Sequence, residues 1–306
     1  MNYFLGIDGG GTRTRVAVAD ASGVELARAE GSATVVDPAN PKATLGVIEE
    51  LCREAAEKAD VDLPVAGLWA GIAGAGAEPT RGAVETALGE AGLSSRTAVG
   101  ADAEATFHDA FPSGPGILLI AGTGSIGFGR GAGEAKIRVG GWGALLGDEG
   151  SGYGIGMAAL RALVRSEDGR GETTDLRGPL LEAVGVADPM DLIRWIATAK
   201  KADVASLVPL VLDRAEAGDE VAQVVIDSAV RELVGHVRTL IRRLDPWTSE
   251  PEVALAGGLI DENGPLRSRV IKALERLPCR LQERALDGAR GACSLAMGLV
   301  SLQTPP

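Results

Sequence analysis

The residues best equipped for chemistry are two carboxylates, each beside a strand end, and a set of glycine-rich turns. Asp8 opens the turn Asp8-Gly9-Gly10-Gly11-Thr12, between strand-like residues 3–7 and 16–19. A second turn, Gly122-Thr123-Gly124-Ser125, lies between apolar residues 117–120 and 126–129. Glycine lets the backbone approach a ligand closely. A tight strand–turn–strand with a hydroxyl at its tip aims several N–H groups into one concavity, and such concavities bind anions. Two of them, carrying Gly10, Gly11 and Thr12 and then Thr123 and Gly124, suggest two jaws on one polyphosphate. The plainer alternative is a pair of β-hairpins without a ligand, with Asp8 capping its own turn. Neither turn is a Walker loop or a dinucleotide fingerprint, because the chain returns to strand after each instead of opening a helix.

Asp102 follows the short apolar run 97–100 and precedes a helix expected from Ala103. A carboxylate at a strand end can accept a hydroxyl proton, and the same position is a good helix N-cap. Glu104 and Asp109 are its nearest rivals. Residues 140–151, Gly-Gly-Trp-Gly followed by Gly-Asp-Glu-Gly-Ser, offer approachable backbone at Gly141 and Gly143, a ring at Trp142 and a carboxylate at Asp148. Trp142 reads equally as a stacking platform or as a plug against the core. Gly257 and Gly258 follow the strand 253–255, where an adenine or ribose could lie against the backbone.

The elements that must position these residues run β-β-β-α-β-α-β-α in the first half. Three strands cover 3–30, followed by a helix over 41–59 with an apolar face at Leu45, Ile48, Leu51 and Ala55. A buried strand spans 65–72, a helix 79–91, a strand 97–100 and a helix 103–110. Strands at 117–121, 125–130 and 136–139 restart the pattern. Helices dominate 153–244, including a long one over 219–244. A strand at 253–256, a helix after Gly264-Pro265, an edge strand at 280–283 and a helix at 288–302 complete the chain. The restart at 117 is a coarse internal duplication, with a boundary in the Pro/Gly/Ser turn at 112–115.

Four segments in this order carry a resemblance: GIDGGGTRT from Gly6, the Asp102 segment running into LIAGTGSIGFG, GGWGALLGDEGSGYGIG from Gly140, and ALAGGLIDENGPL from Ala254. With them the chain resembles the sugar kinase, Hsp70 and actin superfamily, and within it the branch of N-acetylglucosamine kinases and BadF/BadG/BcrA/BcrD-type ATPases. The resemblance implies an α/β fold of two actin-like, ribonuclease H-like domains, each a mixed sheet flanked by helices, with an interdomain cleft. The expected domains are 1–114, joined by the C-terminal helix 288–306, and 115–287. It implies an ATP-dependent kinase acting on a hydroxyl of an amino sugar, N-acetylglucosamine or glucosamine at the 6-hydroxyl. Asp102 would be its general base and Asp8 its Mg²⁺ ligand, since Mg²⁺ usually takes one or two carboxylates and keeps waters. Gly10, Gly11, Thr12, Thr123, Gly124, Gly257 and Gly258 would hold ATP. Asp102, Ser125, Gly141, Trp142, Gly143 and Asp148 would meet the sugar.

The formal net charge of −12 over 306 residues argues against nucleic acid. No stretch reaches the length of a membrane span. Cys52, Cys279 and Cys293 read as three small buried hydrophobes in a reducing cytoplasm. A homodimer is expected. Where N-acetylhexosamine kinases carry an Asn after the third strand, this chain has Val35, which leaves glucosamine, muramic-type sugars or another alcohol open. No cysteine pair suits the iron–sulfur cluster of the dehydratase-activating ATPases, and no Cys/His zinc site of the ROK type is present. A nucleotide-driven switch acting on a partner protein is the competing function. The Gly-Gly-Trp-Gly and Asp148 segment, which a switch does not need, discriminates the two.

Overall fold

The computed structural model describes residues 1–37, 39–40, 42–133 and 136–301. In chain order the first elements are β1 (Tyr3–Gly9), β2 (Arg13–Asp20), β3 (Glu25–Ser32), α1 (Leu45–Lys58), β4 (Gly67–Ile72), α2 (Thr80–Glu90), β5 (Thr97–Gly100) and α3 (Asp102–Ala110). Next come β6 (Gly116–Ala121), β7 (Ser125–Arg130), β8 (Lys136–Gly140), α4 (Gly152–Glu167), α5 (Arg177–Val184), α6 (Leu192–Thr198), α7 (Lys201–Ala205), α8 (Val208–Glu216) and α9 (Glu220–Arg243). The last are β9 (Glu252–Ala256), α10 (Arg267–Leu274), β10 (Arg280–Leu281) and α11 (Gly288–Ser301). The starts expected at 41 for the first helix and the end expected at 302 for the last fall on positions outside the described residues.

The chain forms two compact units. One is Met1–Gly114 with the C-terminal segment from Ala285, and the other is Pro115–Arg284. Each holds one five-stranded mixed sheet, ordered β3-β2-β1-β4-β5 and β8-β7-β6-β9-β10. The second order repeats the first element for element, which is the duplication expected from the restart at 117.

In the first unit, β1 runs antiparallel to β2 and parallel to β4, and β4 runs parallel to β5. Strand alternation sorts β1 between two layers. Leu5 and Ile7 point to the face covered by α1 and α2, where they join Ile48, Leu51, Leu68, Val84 and Leu88 in one core. Full burial of each such side chain stabilises by roughly 1.5–3 kcal/mol. Phe4, Gly6 and Asp8 point to the other face. There Phe4 packs with Trp69, Ala105, Ala292 and Ala296 of β4, α3 and α11. A Cβ on Gly6 would collide with the backbone of α11 at Ala289 and Cys293, so glycine lets the helix lie directly on the strand.

In the second unit, α9 is the main buried helix. The Asp219 side chain accepts a hydrogen bond from the Ala222 N–H at 2.8 Å and caps it. Ile226, Leu233, Val237 and Leu240 fill the core beside β6 and α4.

Several expectations shift. α3 begins at Asp102, and its N-cap is Ala101, so Asp102 is the first helical residue rather than the cap. β4 begins at Gly67, since Val65 makes only an isolated bridge to Ser94. β10 covers two residues. Cys52 and Cys293 are buried, but Cys279 is half-buried. No described helix is long and apolar enough to cross a membrane.

Candidate active site

In the first unit the sheet brings Asp8 and Asp102 together. The register sets Asp8 opposite Gly71 of β4, and Gly71 opposite Gly100 of β5. Asp102 follows two residues beyond Gly100, and a Cβ on Gly71 would lie 3.1 Å from the Asp102 Cα. The parallel strands β1, β4 and β5 thus deliver both carboxylates to their C-terminal edge, the usual ligand edge of an open α/β sheet. Asp102 Oδ1 accepts from the Ala103 N–H at 2.9 Å. Glu104 Oε1 instead reaches back to the Ala101 N–H at 3.4 Å, and Asp109 is buried against Arg290 at 2.7 and 2.9 Å. Both rivals of Asp102 are therefore engaged in structure.

Burial lifts the Asp8 carboxyl to about 7, and the negative charges of Asp102 and Asp287 push the same way. Arg13 and Arg28 oppose them without prevailing. Across the hairpin, Arg15 pairs with Asp8 in register, with Nη1 3.6 Å from Oδ2. Such a site is short of positive charge, so the residues fit a divalent cation. Among the described residues no group of three or more His, Cys, Asp or Glu could hold a metal unaided, as expected where phosphate and water complete the shell. Gly10 donates to the Arg13 carbonyl at 3.0 Å, closing the turn and leaving Gly11 and Thr12 exposed at its tip.

The N-terminus of α11 abuts Asp8, for a Cβ on Gly288 would lie 2.7 Å from the Asp8 Cγ. Asp287 anchors this end. Its Oδ1 accepts from the Ala289 and Arg290 N–H groups at 3.0 and 3.2 Å, and its Oδ2 from Arg28 at 2.6 Å. Burial raises the Asp287 carboxyl, but the Arg28 hydrogen bond and charge outweigh it and hold it below the usual carboxylate range. Sequence reasoning missed Asp287 and Arg28. Arg15 was within reach, because the hairpin register around residues 9–14 sets it opposite Asp8.

In the second unit the Thr123 turn is tied to the start of α4. The Gly152 N–H donates to the Gly122 carbonyl at 2.8 Å, and the Tyr153 N–H to the Thr123 carbonyl at 3.2 Å. The Gly257-Gly258 turn lies alongside, because β6 and β9 are parallel neighbours. A Cβ on Gly257, whose φ is 92°, would meet the Ala121 carbonyl oxygen at 2.5 Å. Thr123, Gly124, Gly257 and Gly258 therefore share one edge of this sheet.

Ser125 and Asp148 are buried. The Ser125 hydroxyl donates to the Glu149 carbonyl at 2.7 Å, and its N–H to Asp148 Oδ1 at 3.1 Å. Asp148 adopts φ 63°, a left-handed conformation that Asp tolerates better than most residues. Its Oδ2 faces the Lys201 ammonium at 2.7 Å. Both residues brace the loop in this geometry. Gly141, Trp142 and Gly143 lie on the same segment, and Trp142 is 64% exposed. The core-plug reading of Trp142 is thus overturned. The Arg138 guanidinium lies 4.8 Å from its ring centroid, a cation–π contact.

Two repeated mixed sheets, with glycine turns at their edges and a carboxylate pair beside one, define an actin-like fold of the sugar-kinase type. A structure from Chromobacterium violaceum, provisionally assigned as an N-acetylglucosamine kinase, superposes with a TM-score of 0.82 at 28% identity, covering 97% of this chain and 99% of that one. The chain belongs to the BadF/BadG/BcrA/BcrD ATPase family, whose model matches residues 5–292. It is 31% identical over 264 residues to the N-acetylmuramic acid/N-acetylglucosamine kinase of Clostridium acetobutylicum, covering 85% of this chain and 86% of that one. It is 30% identical to the N-acetyl-D-glucosamine kinase of Dictyostelium discoideum, covering 96% and 97%. By these relationships the chain is a kinase.

Proposed function

We propose that this protein transfers the γ-phosphoryl group of ATP to the 6-hydroxyl of an amino sugar, N-acetylglucosamine or glucosamine. The observation that carries this reading is the Asp8–Asp102 pair at one sheet edge, where burial first, and then the charges of Asp102 and Asp287, lift Asp8 to about 7. The names of the relatives support the substrate class. Asp102 accepts the proton of the sugar hydroxyl as its oxygen attacks phosphorus. Asp8 would hold Mg²⁺, directly or through water, and the bound ion supplies charge neutralisation to the phosphates. The N–H groups of Gly11, Thr12, Thr123 and Gly124 and the hydroxyls of Thr12 and Thr123 hold phosphate oxygens, Gly10 closes the first turn through its own N–H, and Gly257 and Gly258 accommodate the nucleoside. Gly141, Trp142 and Gly143 present backbone and ring to the sugar.

Val35 bears on which sugar is preferred. Its side chain is 48% exposed and offers no donor. A site lacking one polar partner discriminates less strongly for the group that would meet it, so the acetamido group is not a strict requirement. The test is ATP consumption over glucosamine, N-acetylglucosamine, N-acetylmannosamine, N-acetylmuramic acid and glucose, with a no-sugar control. Turnover that depends on an amino sugar is expected. High turnover without any sugar would reject the kinase reading in favour of a nucleotide-driven switch.

A further inference from the structure

The Asp148–Lys201 pair sits directly against the second glycine turn. A Cβ added to Gly124 would lie 2.7 Å from Asp148 Oδ1 and 2.7 Å from Lys201 Nζ. The ammonium is therefore at the turn itself. Asp148 is nearly inaccessible, with its side chain 4% exposed, whereas the Lys201 side chain is 38% exposed. The pair is thus lopsided, with a sunken anion and a cation that still faces outward.

The fold holds Lys201 there through backbone packing. α7 is short, and its start is capped by Asp203, whose Oδ2 accepts from the Lys200 N–H at 2.7 Å. It lies close on α4 because that helix begins Gly152-Tyr153-Gly154-Ile155-Gly156. A Cβ on Gly156 would collide with the Val204 carbonyl, and one on Gly152 would press on the Ala205 Cβ at 3.1 Å. The Gly152 N–H also donates to the Gly122 carbonyl at 2.8 Å. One glycine-rich helix start thus locates both the turn and the helix that bears the lysine.

A buried carboxylate without a partner is costly, so Lys201 must first neutralise Asp148. The Lys201 Nζ lies 2.7 Å from Asp148 Oδ2 as an ion pair, and the ammonium carries three donors that can turn toward a further anion. Two N–H groups of the turn are spent inside the protein, Gly122 on the Gly124 carbonyl at 2.9 Å and Ser125 on Asp148 Oδ1 at 3.1 Å. An anion here would draw on those of Thr123 and Gly124, and an exposed ammonium at the same spot adds the full positive charge that such a turn lacks. We propose that Lys201 is a nucleotide-binding residue, the cation that meets a phosphate oxygen of ATP at Gly122–Ser125, with Asp148 aiming it. This rests on the reading of that turn as a phosphate site.

The test is calorimetric binding of ATP, ADP and adenosine to the wild type, to Lys201→Met and to the double variant Lys201→Met/Asp148→Asn. The second variant removes the uncompensated buried charge, and melting temperatures verify folding. Charge-assisted hydrogen bonds predict ATP and ADP binding weaker by roughly ten- to a hundredfold in both variants, with a shallower salt dependence and unchanged adenosine affinity. Full ATP affinity in Lys201→Met, or its return in the double variant, would overturn the role of Lys201 alone. Equal losses for adenosine and ATP would also overturn it, by revealing a purely structural lysine. A wild type that binds adenosine but gains nothing from phosphates would overturn the phosphate reading of the turn, and this proposal with it.

Discussion

Asp102 begins α3 rather than capping it, and this sharpens what Asp102→Asn tests. The amide oxygen of Asn can still accept the Ala103 N–H, so the local structure loses little, while the capacity to take a proton is gone. Turnover is expected to fall roughly 10²–10⁴-fold, with melting temperature and ATP affinity near wild type. Steady-state kinetics alongside calorimetry checks this, and a stable variant keeping over a tenth of the activity rejects Asp102 as base. Asp8 gives a pH prediction. Its folded-state carboxyl titrates near 7 against an ordinary value of 3.8. Between these values the unfolded chain has lost a proton that the folded chain keeps, so this group makes ligand-free stability fall as pH rises through that window. Asp8→Asn is expected to flatten that fall and to melt roughly a few degrees higher than wild type at pH 8. A melting profile parallel to wild type from pH 4 to 8 would contradict it. Val35→Asn adds the amide that the half-exposed valine lacks. The ratio of kcat/KM for N-acetylglucosamine over glucosamine is expected to rise about tenfold or more, and an unchanged ratio would remove Val35 from the specificity argument.

The strands and most helices were legible because their apolar periodicities are strong. The 97–100 strand, the long helix capped by Asp219 and the restart at 117 all follow from local pattern. What was not legible is which glycines serve the ligand and which serve packing. Gly6 belongs to the phosphate-turn motif by sequence, yet it clears space for α11. Gly152 and Gly156 belong by sequence to the GGWGALLGDEGSGYGIG motif, yet they seat α7. Lys201 carried no signal, since its partner is 53 positions away along the chain. A local pattern cannot reveal a close approach between elements distant in sequence. The α11 crossing makes this measurable with two substitutions of opposite sign. A Cβ on Gly291 would drive into the Ala105 backbone of α3, whereas one on Gly298 meets nothing within 4 Å. Gly291→Ala is expected to cost about 1–3 kcal/mol, and Gly298→Ala to gain up to about 1 kcal/mol from helix propensity. Chemical denaturation of the two variants reads both, and equal shifts would mean that α11 is not packed this tightly.

At the level of the whole molecule the two units differ in continuity. Pro115–Arg284 is one stretch of chain, whereas the first unit needs α11 to cover the Phe4, Gly6 and Trp69 face of its sheet. The isolated stretch 115–284 is expected to fold with a cooperative melt. A chain stopped after residue 284 is expected to leave the first unit without native protection in hydrogen exchange. Protection of β1 in that shortened chain would show that α11 is dispensable.

The placement of α11 also has a biosynthetic consequence. On the ribosome, β1 to α3 emerge first, yet the helix that completes their sheet is made only after the whole of the second unit. At ordinary elongation rates that delay is on the order of ten seconds. During it, the Phe4 and Trp69 face of the sheet stands open to the nascent-chain environment. The contiguous unit is free to finish first, so the half of the protein bearing Asp8 and Asp102 completes its fold last.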